Sequence, residues 1–217
     1  MVLKCLTVGN MQENCYLFGD PSALLVIDPG DEAERILSYI EENDYNVLHI
    51  VLTHCHYDHI GAVYELAEKT GASLILGAHE AENYKNRRVT LAGYFQAMPK
   101  LREPERLLQD GETIESGAYA FRVIETPGHT SGSICLLGED VLFSGDTLFR
   151  GSIGRADFPT GDLRTLIQSI RDKLFVLPPE TKVYPGHGEM STIGYEKENN
   201  EVYEWERRTI ESMGRSV

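Results

Sequence analysis

Residues 51–61 read VLTHCHYDHIG and place three histidines and one aspartate within six consecutive positions. The preceding run, NVLHIVL, is apolar and has the length of a strand buried on both faces. Apolar residues then recur at helical spacing, and Gly71 is a typical residue to end that helix. The crowded polar groups are therefore predicted to occupy a loop between a buried strand and a helix.

Three later segments repeat this context, because each is an apolar strand that runs into a glycine-containing turn with a polar residue at the strand's end. They are IETPGHTSGS with His129, VLFSGDTLF with Asp146 and KVYPGHGEM with His187. Strands that end together bring their terminal loops to one edge of the fold. We therefore expect these three residues to converge on residues 51–61.

Together these segments supply five imidazoles and two carboxylates, from His54, His56, Asp58, His59, His129, Asp146 and His187. Such groups suit Zn, Fe or Mn. A catalytic zinc takes three protein ligands and keeps one open position, so seven groups indicate two metal ions. Isolated histidines are more often surface or satisfied core groups, and His49 and His79 are interpreted that way.

The composition is that of a globular chain with an acidic excess. Of 217 residues, 41% are hydrophobic and 25% are charged, and no repeat or linker divides the sequence, so one domain over residues 1–217 is predicted. The formal net charge of −14 disfavours a nucleic-acid partner and weakens a nuclease interpretation.

No export signal or transmembrane segment is evident, which predicts a cytoplasmic protein without a membrane partner. The four cysteines, Cys5, Cys15, Cys55 and Cys135, form no C-x-x-C pair and suit a reducing compartment. Because Cys55 alternates with the candidate ligands, its thiol is expected to point away from the metals.

Strands are predicted at VLKCLTV, CYLF and ALLVID in the first third and at several short runs after residue 105. TKVYPG is predicted as the last strand, and Asp162 is placed to cap an amphipathic helix. Two packed sheets covered by helices fit this pattern better than one doubly wound sheet.

Two regions have weaker patterns. Residues 78–105 are interpreted as a helix followed by irregular, lid-like chain, in which Tyr94 and Phe95 either line a substrate pocket or pack in the core. Residues 195–212 are predicted to end the chain as a helix.

The string THCHYDH matches the H-x-H-x-D-H signature of the metallo-β-lactamase superfamily, and TPGHTSGS, SGDTLF and YPGHG resemble its remaining ligand motifs in the same order. The resemblance implies an α+β fold, an αββα four-layer sandwich. Two mixed sheets would pack face to face with helices outside, and a binuclear site would lie at one edge.

Carried over by resemblance, the first metal would be held by His54, His56 and His129, and the second by Asp58, His59 and His187, with Asp146 bridging. Asp28, in VIDPG, matches a position that supports ligand histidines from behind. A turn-capping aspartate before Pro29 is the alternative interpretation.

Within the superfamily, GDTLFRGSIGRADFPTGD and YPGHGEMSTIGYEKENN resemble the short bacterial glyoxalase II-like hydrolases, which lack a C-terminal helical glutathione-binding domain. His56 argues against flavodiiron proteins, which carry Glu there. Asp146 argues against the commonest β-lactamase subclass, which places Cys there.

This resemblance implies hydrolysis of a small thioester such as S-lactoylglutathione by metal-bound hydroxide, with Asp58 orienting the water as well as binding metal. Two divalent ions are implied, zinc before iron or manganese. Arg155, in SIGR, stands where the resemblance would place a substrate-binding lysine, and a surface arginine is the alternative.

Two other functions remain open. Persulfide dioxygenases share the fold and a GR-x-DF pattern, and a single iron would then use His54, His129 and Asp146 as a facial triad. The other is a metal-binding protein without catalysis. Because all seven ligand positions are filled, the sequence favours an enzyme.

Overall fold

A computed structural model of the chain describes residues 1–95 and 98–205, without the side chain of Phe95. The strands in these ranges are β1 (Val2–Val8), β2 (Glu13–Asp20), β3 (Ala23–Ile27), β4 (Val47–Leu52), β5 (Ser73–Gly77), β6 (Arg106–Leu108), β7 (Thr113–Ser116), β8 (Tyr119–Glu125), β9 (Ile134–Leu137), β10 (Val141–Gly145), β11 (Leu148–Phe149), β12 (Ser152–Ile153), β13 (Lys182–Pro185) and β14 (Ser191–Thr192). The helices that lie wholly within these ranges are α1 (Ala33–Glu42), α2 (Tyr57–Ile60), α3 (Val63–Thr70), α4 (Ala81–Tyr84), α5 (Ala92–Phe95), α6 (Leu163–Ser169) and α7 (Ile193–Asn199). A 3₁₀ turn precedes α4 (Ala78–Glu80), and a π-helical turn continues α6 (Ile170–Leu174).

The strands form two six-stranded sheets and one short hairpin. In the first sheet β1 to β6 follow one another in sequence order, antiparallel from β1 to β3 and parallel from β3 to β6. The second sheet has the order β14-β13-β10-β9-β8-β7, in which β10 and β13 are parallel. Both sheets are therefore mixed, as predicted.

The apolar residues divide into three buried layers, which confirms the predicted αββα sandwich. In β3, Leu25 and Ile27 face the layer between the two sheets, whereas Leu24 and Val26 face the layer that contains α1 and α3. This alternation follows from the two-residue period of a strand. A third buried cluster joins the second sheet to α6.

Local signals in the sequence also predict the ends of two helices correctly. Gly71 adopts φ 74°, and its N–H donates to the carbonyl of Ala67 to end α3. The Asp162 carboxylate accepts from the backbone N–H of Thr165 at 2.7 Å and so caps α6. Because β3, β4 and β5 run parallel, the loops after them lie at the same edge of the first sheet.

Two predictions about the end of the chain are wrong in detail. TKVYPG is not the last strand, because β14 pairs antiparallel with it as β13. The helix predicted over 195–212 begins at Ile193 and is interrupted after Asn199; the backbone is helical again at residues 202–205, and residues 206–212 lie outside the described ranges. Asn200 ends it with extended backbone, and its side-chain amide donates to the carbonyls of Phe149 and Ser152.

The segment 78–105 has more helix than predicted, since a 3₁₀ turn, α4 and α5 all lie within it. Tyr94 does not pack in the core, because 73% of it is exposed, and a place beside the substrate stays a prediction. The Phe95 side chain lies outside the described part of the structure. In that part, no helix is long and apolar enough to cross a bilayer.

Candidate metal centre

Three buried histidines bring ring nitrogens together between the ends of β4 and β8. Nε2 of His129 lies 3.3 Å from Nε2 of His54 and 2.9 Å from Nδ1 of His56, and the last two atoms are 3.1 Å apart. Ligand atoms about 2.0–2.1 Å from a tetrahedral zinc are separated from each other by roughly 3.3 Å. The three rings are thus spaced as ligands of one ion, and we call them the first group.

A second group consists of Asp58 and His59 from α2 and His187 from the loop after β13. Nε2 of His187 lies 3.2 Å from Oδ2 of Asp58, and Nε2 of His59 lies 3.9 Å from the same oxygen. Each residue offers one ligand atom within 4.8 Å of the others. The second group therefore offers one carboxylate and two imidazoles to an ion.

Asp146, which follows β10, joins the two groups. Its Oδ1 lies 3.4 Å from Nε2 of His59, and its Oδ2 lies 3.6 Å from Nε2 of both His129 and His187. Gly186 leaves the room for this carboxylate, because a Cβ at that position would lie 2.3 Å from Oδ1 of Asp146. One oxygen of Asp146 thus faces the second group, and the other faces both.

Several buried polar atoms of this centre have no hydrogen-bond partner, namely Oδ1 of Asp146, Nε2 of His56 and both ring nitrogens of His59. An unpartnered buried polar atom costs about 1–3 kcal/mol. His59 Nδ1 approaches Oδ2 of Asp28 to 3.1 Å without hydrogen-bond geometry. Of these atoms, Oδ1 of Asp146 and Nε2 of His59 face the other candidate ligands and fit a divalent cation, as does the hard and borderline donor set.

Asp28 and Thr53 lie behind the ligands. The Asp28 carboxylate accepts from the Thr53 backbone N–H at 2.7 Å and from the Thr53 hydroxyl at 2.6 Å. The Thr53 hydroxyl oxygen also lies 3.2 Å from Nδ1 of His54. Asp28 therefore contacts a ligand of each group, directly at His59 and through Thr53 at His54, which is more than a turn cap before Pro29 requires.

We expect Thr53→Val to weaken zinc binding about 10-fold, because outer partners of ligand histidines typically contribute 10–100-fold in metal affinity. Valine keeps the volume of the side chain but removes the hydroxyl between Asp28 and His54. Chelator competition on metal-free protein measures the affinity. Thr53→Ser retains the hydroxyl and is the matched control, so equal zinc affinities for the two variants would refute the prediction.

The ring of His129 is oriented by backbone, since its Nδ1 lies 2.6 Å from the carbonyl oxygen of Arg155. A carbonyl only accepts, so Nδ1 carries the proton and Nε2 presents a lone pair to the first group. Arg155 thus acts on this site through its backbone carbonyl, which orients the His129 ring.

The two groups differ in their proton affinity in the absence of metal. Burial lowers the pKa of His54, His56 and His129, so these rings are neutral and ready to act as ligands. Burial acts in the same direction on His59 and His187, but neighbouring carboxylates, Asp146 foremost at His59, outweigh it and raise the pKa of both. An ion that binds the second group therefore displaces protons.

In the metal-free protein we expect acid to destabilise the fold through His56. Burial lowers the pKa of folded His56 from 6.5 to about 3. The unfolded state therefore binds a proton that the folded state does not between these values, so the free energy of unfolding falls as the pH drops through this window. His56→Gln removes this contribution, and the slope should become shallower by up to about 1.4 kcal/mol per pH unit.

Urea unfolding of chelator-treated wild type and His56→Gln at several pH values between about 6.5 and 4 measures this slope. Identical slopes for the two proteins would contradict the prediction.

A cavity of about 270 Å³ opens onto the centre. It is lined by Met11, His56, Tyr57, Asp58, Leu91, His129, Asp146, Phe149, Arg155, Phe158 and His187. Larger cavities of about 530 and 510 Å³ contain none of the seven candidate ligands in their walls. The 270 Å³ cavity is therefore identified as the candidate site by the candidate ligands in its wall and not by its volume.

Arg155 lies at this cavity, but its guanidinium is engaged. Its Nε and one terminal nitrogen donate to the Asp157 carboxylate at 2.9 and 2.7 Å, and it stacks over the ring of Phe158 at 4.2 Å. Phe158 in turn packs edge to face on His56. A role for Arg155 in substrate binding stays a prediction.

The sequence interpretation missed two buried carboxyl groups. Glu80 follows the end of β5, and no local pattern singled it out. Glu13 is fully buried beside His59, with 3.9 Å between its Oε1 and Nδ1 of His59, and burial raises its pKa. Cys55 packs in the core cluster on the helix side of the first sheet, where burial raises its pKa.

Fold and centre together define a class of protein. Residues 8–187 match the model of the metallo-beta-lactamase superfamily, and the chain belongs to that superfamily.

Among its relatives, the hydroxyacylglutathione hydrolase GloC of Haemophilus influenzae is 38% identical over an alignment of 206 residues that covers 92% of this chain and 97% of GloC. The crystal structure of the B3 metallo-beta-lactamase BLEG-1 has a TM-score of 0.87 at 33% identity and covers 92% of this chain and 98% of its own. That of TTHA1623 in a di-iron-bound form has a TM-score of 0.83 at 38% identity, over 91% and 98%. These similarities confirm the predicted superfamily and fold.

Proposed function

We propose that the protein is a binuclear metallohydrolase, a glyoxalase II-like thioesterase that cleaves a small thioester of the hydroxyacylglutathione type. The observation that carries this proposal is the pair of adjoining ligand groups that share Asp146 beside a cavity. The similarity to GloC supports the substrate class. We propose that zinc is the metal at both positions and that the protein acts in the cytoplasm.

When bound, two divalent ions would supply a water of lowered pKa and polarise the substrate carbonyl. Asp58 lies in the cavity wall, 3.2 Å from His187, where it can orient that water as well as hold an ion. The thiolate of a thioester is a good leaving group, since a thiol pKa is about 8.5, so little proton assistance is needed. We propose that Arg155, at the cavity rim, contacts the thiol carrier.

The experiment is an assay of purified, zinc-loaded protein against S-lactoylglutathione and a series of acyl thioesters, with metal content measured on the same sample. We expect thiol release with about two ions per chain. A fully loaded protein that leaves all thioesters intact would refute the thioesterase proposal. A chromogenic cephalosporin belongs in the panel because BLEG-1 is a B3 metallo-beta-lactamase.

A second candidate is a mononuclear non-haem iron persulfide dioxygenase. It is favoured by the proximity of His54, His129 and Asp146, with His129 Nε2 at 3.3 and 3.6 Å from the other two, since two histidines and a carboxylate form the facial triad of such iron sites. One iron per chain with oxygen uptake on glutathione persulfide would establish it in place of the hydrolase. Metal binding with neither activity would favour a non-catalytic role.

A further inference from the structure

We infer that Glu80 is a positioning residue whose carboxylate links the loop of His54 and His56 to the loop of His129 and thereby sets the metal affinity of the first group. We call this link the clasp. The inference rests on the proposed role of His54, His56 and His129 as ligands. It assigns a function to a buried glutamate that lies outside the ligand motifs.

The Glu80 carboxylate reaches both ligand loops from the 3₁₀ turn after β5. Only 1% of Glu80 is exposed. Its Oε1 accepts from the backbone N–H of Cys55 at 3.0 Å, and its Oε2 accepts from the hydroxyl of Thr130 at 3.0 Å. Cys55 lies between His54 and His56, and Thr130 follows His129. One carboxylate thus holds a residue adjacent to each of the three ligands.

Neighbouring side chains keep the carboxylate in place. The Asn83 amide donates to Oε2 of Glu80 at 2.8 Å and to the Ser131 hydroxyl at 2.9 Å, and Ser133 lies 2.8 Å from the Thr130 hydroxyl. The two oxygens of a carboxylate have about four acceptor sites, so Glu80 can accept from Cys55, Asn83 and Thr130 at the same time.

The chain leaves room for this contact at one glycine. A Cβ on Gly132 would lie 2.5 Å from Oε2 of Glu80 and 2.3 Å from its backbone nitrogen. Gly132, in HTSGS, is therefore required for the His129 loop to approach Glu80. This packing requirement is separate from metal binding.

The clasp matters because the ligands come from different sheets. His54 and His56 follow β4 of the first sheet, whereas His129 follows β8 of the second. A backbone hydrogen bond from Ile134 N to the Thr53 carbonyl, at 2.9 Å, also joins the two loops. Glu80 adds two links that lie next to the ligands, so it holds the nitrogen spacing of the first group before metal arrives.

The test compares Glu80→Ala with Glu80→Gln on metal-free protein. Alanine removes the clasp, whereas glutamine can keep it, because its carbonyl accepts from Cys55 N–H and its amide can donate to Thr130 and to a turned Asn83 amide. We expect alanine to weaken zinc binding at the first group about 10–100-fold and glutamine to stay within about 3-fold of wild type. Chelator competition gives the affinities, and the absorption spectrum of the cobalt-substituted protein reports the three-histidine site.

A matched control is Glu196→Ala. Glu196 is also fully buried and accepts from the Gly151 N–H at 2.9 Å, the Asn200 amide at 2.6 Å and the Ser191 hydroxyl, none of which neighbours a ligand. The Glu196→Ala substitution should lower the free energy of unfolding without changing zinc affinity. If Glu80→Ala does not fold, Thr130→Val against Thr130→Ser tests the same clasp, with weaker zinc binding expected for valine alone.

Wild-type zinc affinity in folded Glu80→Ala, or equal weakening in Glu196→Ala, would overturn the inference. Both measurements use zinc or cobalt binding without turnover, so they remain decisive if the substrate is not a thioester. A wild-type chain that binds no zinc would overturn the metal assignment and this inference together.

Discussion

Asp146→Asn is expected to lower kcat/KM for thioester hydrolysis by about 10³-fold or more. The side chain keeps its shape but loses the charge that faces His59 at 3.4 Å and both His129 and His187 at 3.6 Å. A metal ion contributes several kcal/mol to transition-state stabilisation, and about 4 kcal/mol corresponds to 10³-fold in rate.

Metal content should fall in parallel, from about two ions to about one per chain, with the remaining ion in the three-histidine group. Asp140→Asn is the matched control, because Asp140 precedes the opposite end of the same strand and is 60% exposed in an ion pair with Lys182. Asp146→Asn protein with two ions and wild-type kinetics would show that this carboxylate does not bridge.

Asp58→Asn is expected to lower kcat by about 10²–10⁴-fold, the range of a positioned general base. Asp58 lies in the cavity wall, and His59 and the hydrogen bond from His187 outweigh burial and lower its pKa, so it is ionised at neutral pH. Asparagine retains a coordinating oxygen but cannot accept a proton. Asp58 belongs to the second group, so the first group should keep its metal.

The decisive measurement is kcat for Asp58→Asn at rising zinc concentration, with metal content followed on each sample. If Asp58 orients the nucleophile, activity stays low once two ions per chain are bound. Full recovery at saturating zinc would show that it acts as a ligand alone. An unchanged kcat at every zinc concentration would remove Asp58 from the mechanism.

The sequence predicted the convergence of the centre because the candidate ligands lie in segments that directly follow strands. His129, Asp146 and His187 lie 70 or more residues from the first loop, as the 75-residue separation of His54 and His129 illustrates, yet they share one edge with it. No local pattern singled out Glu80, which lies in the segment interpreted as a helix followed by irregular chain.

Other features depend on contacts that no local pattern encodes. The helix ends at Asn199 because the Asn200 amide bonds to the carbonyls of Phe149 and Ser152, about fifty residues away in the chain. His56 presents Nδ1 to the first group while His54 presents Nε2, which follows from how each ring packs. The Arg155 carbonyl orients His129 although the sequence drew attention to the Arg155 side chain.

By itself, the sequence determined the layered fold, the seven candidate ligands and the edge at which they meet. Strand and helix periodicity and strand ends are set by the covalent geometry of the chain and can be read residue by residue. Tertiary structure alone decided which nitrogen of each histidine faces the other candidate ligands, and that Thr53 and Glu80 stand behind them. These contacts join loops of different strands, and their geometry exists only once the two sheets have packed.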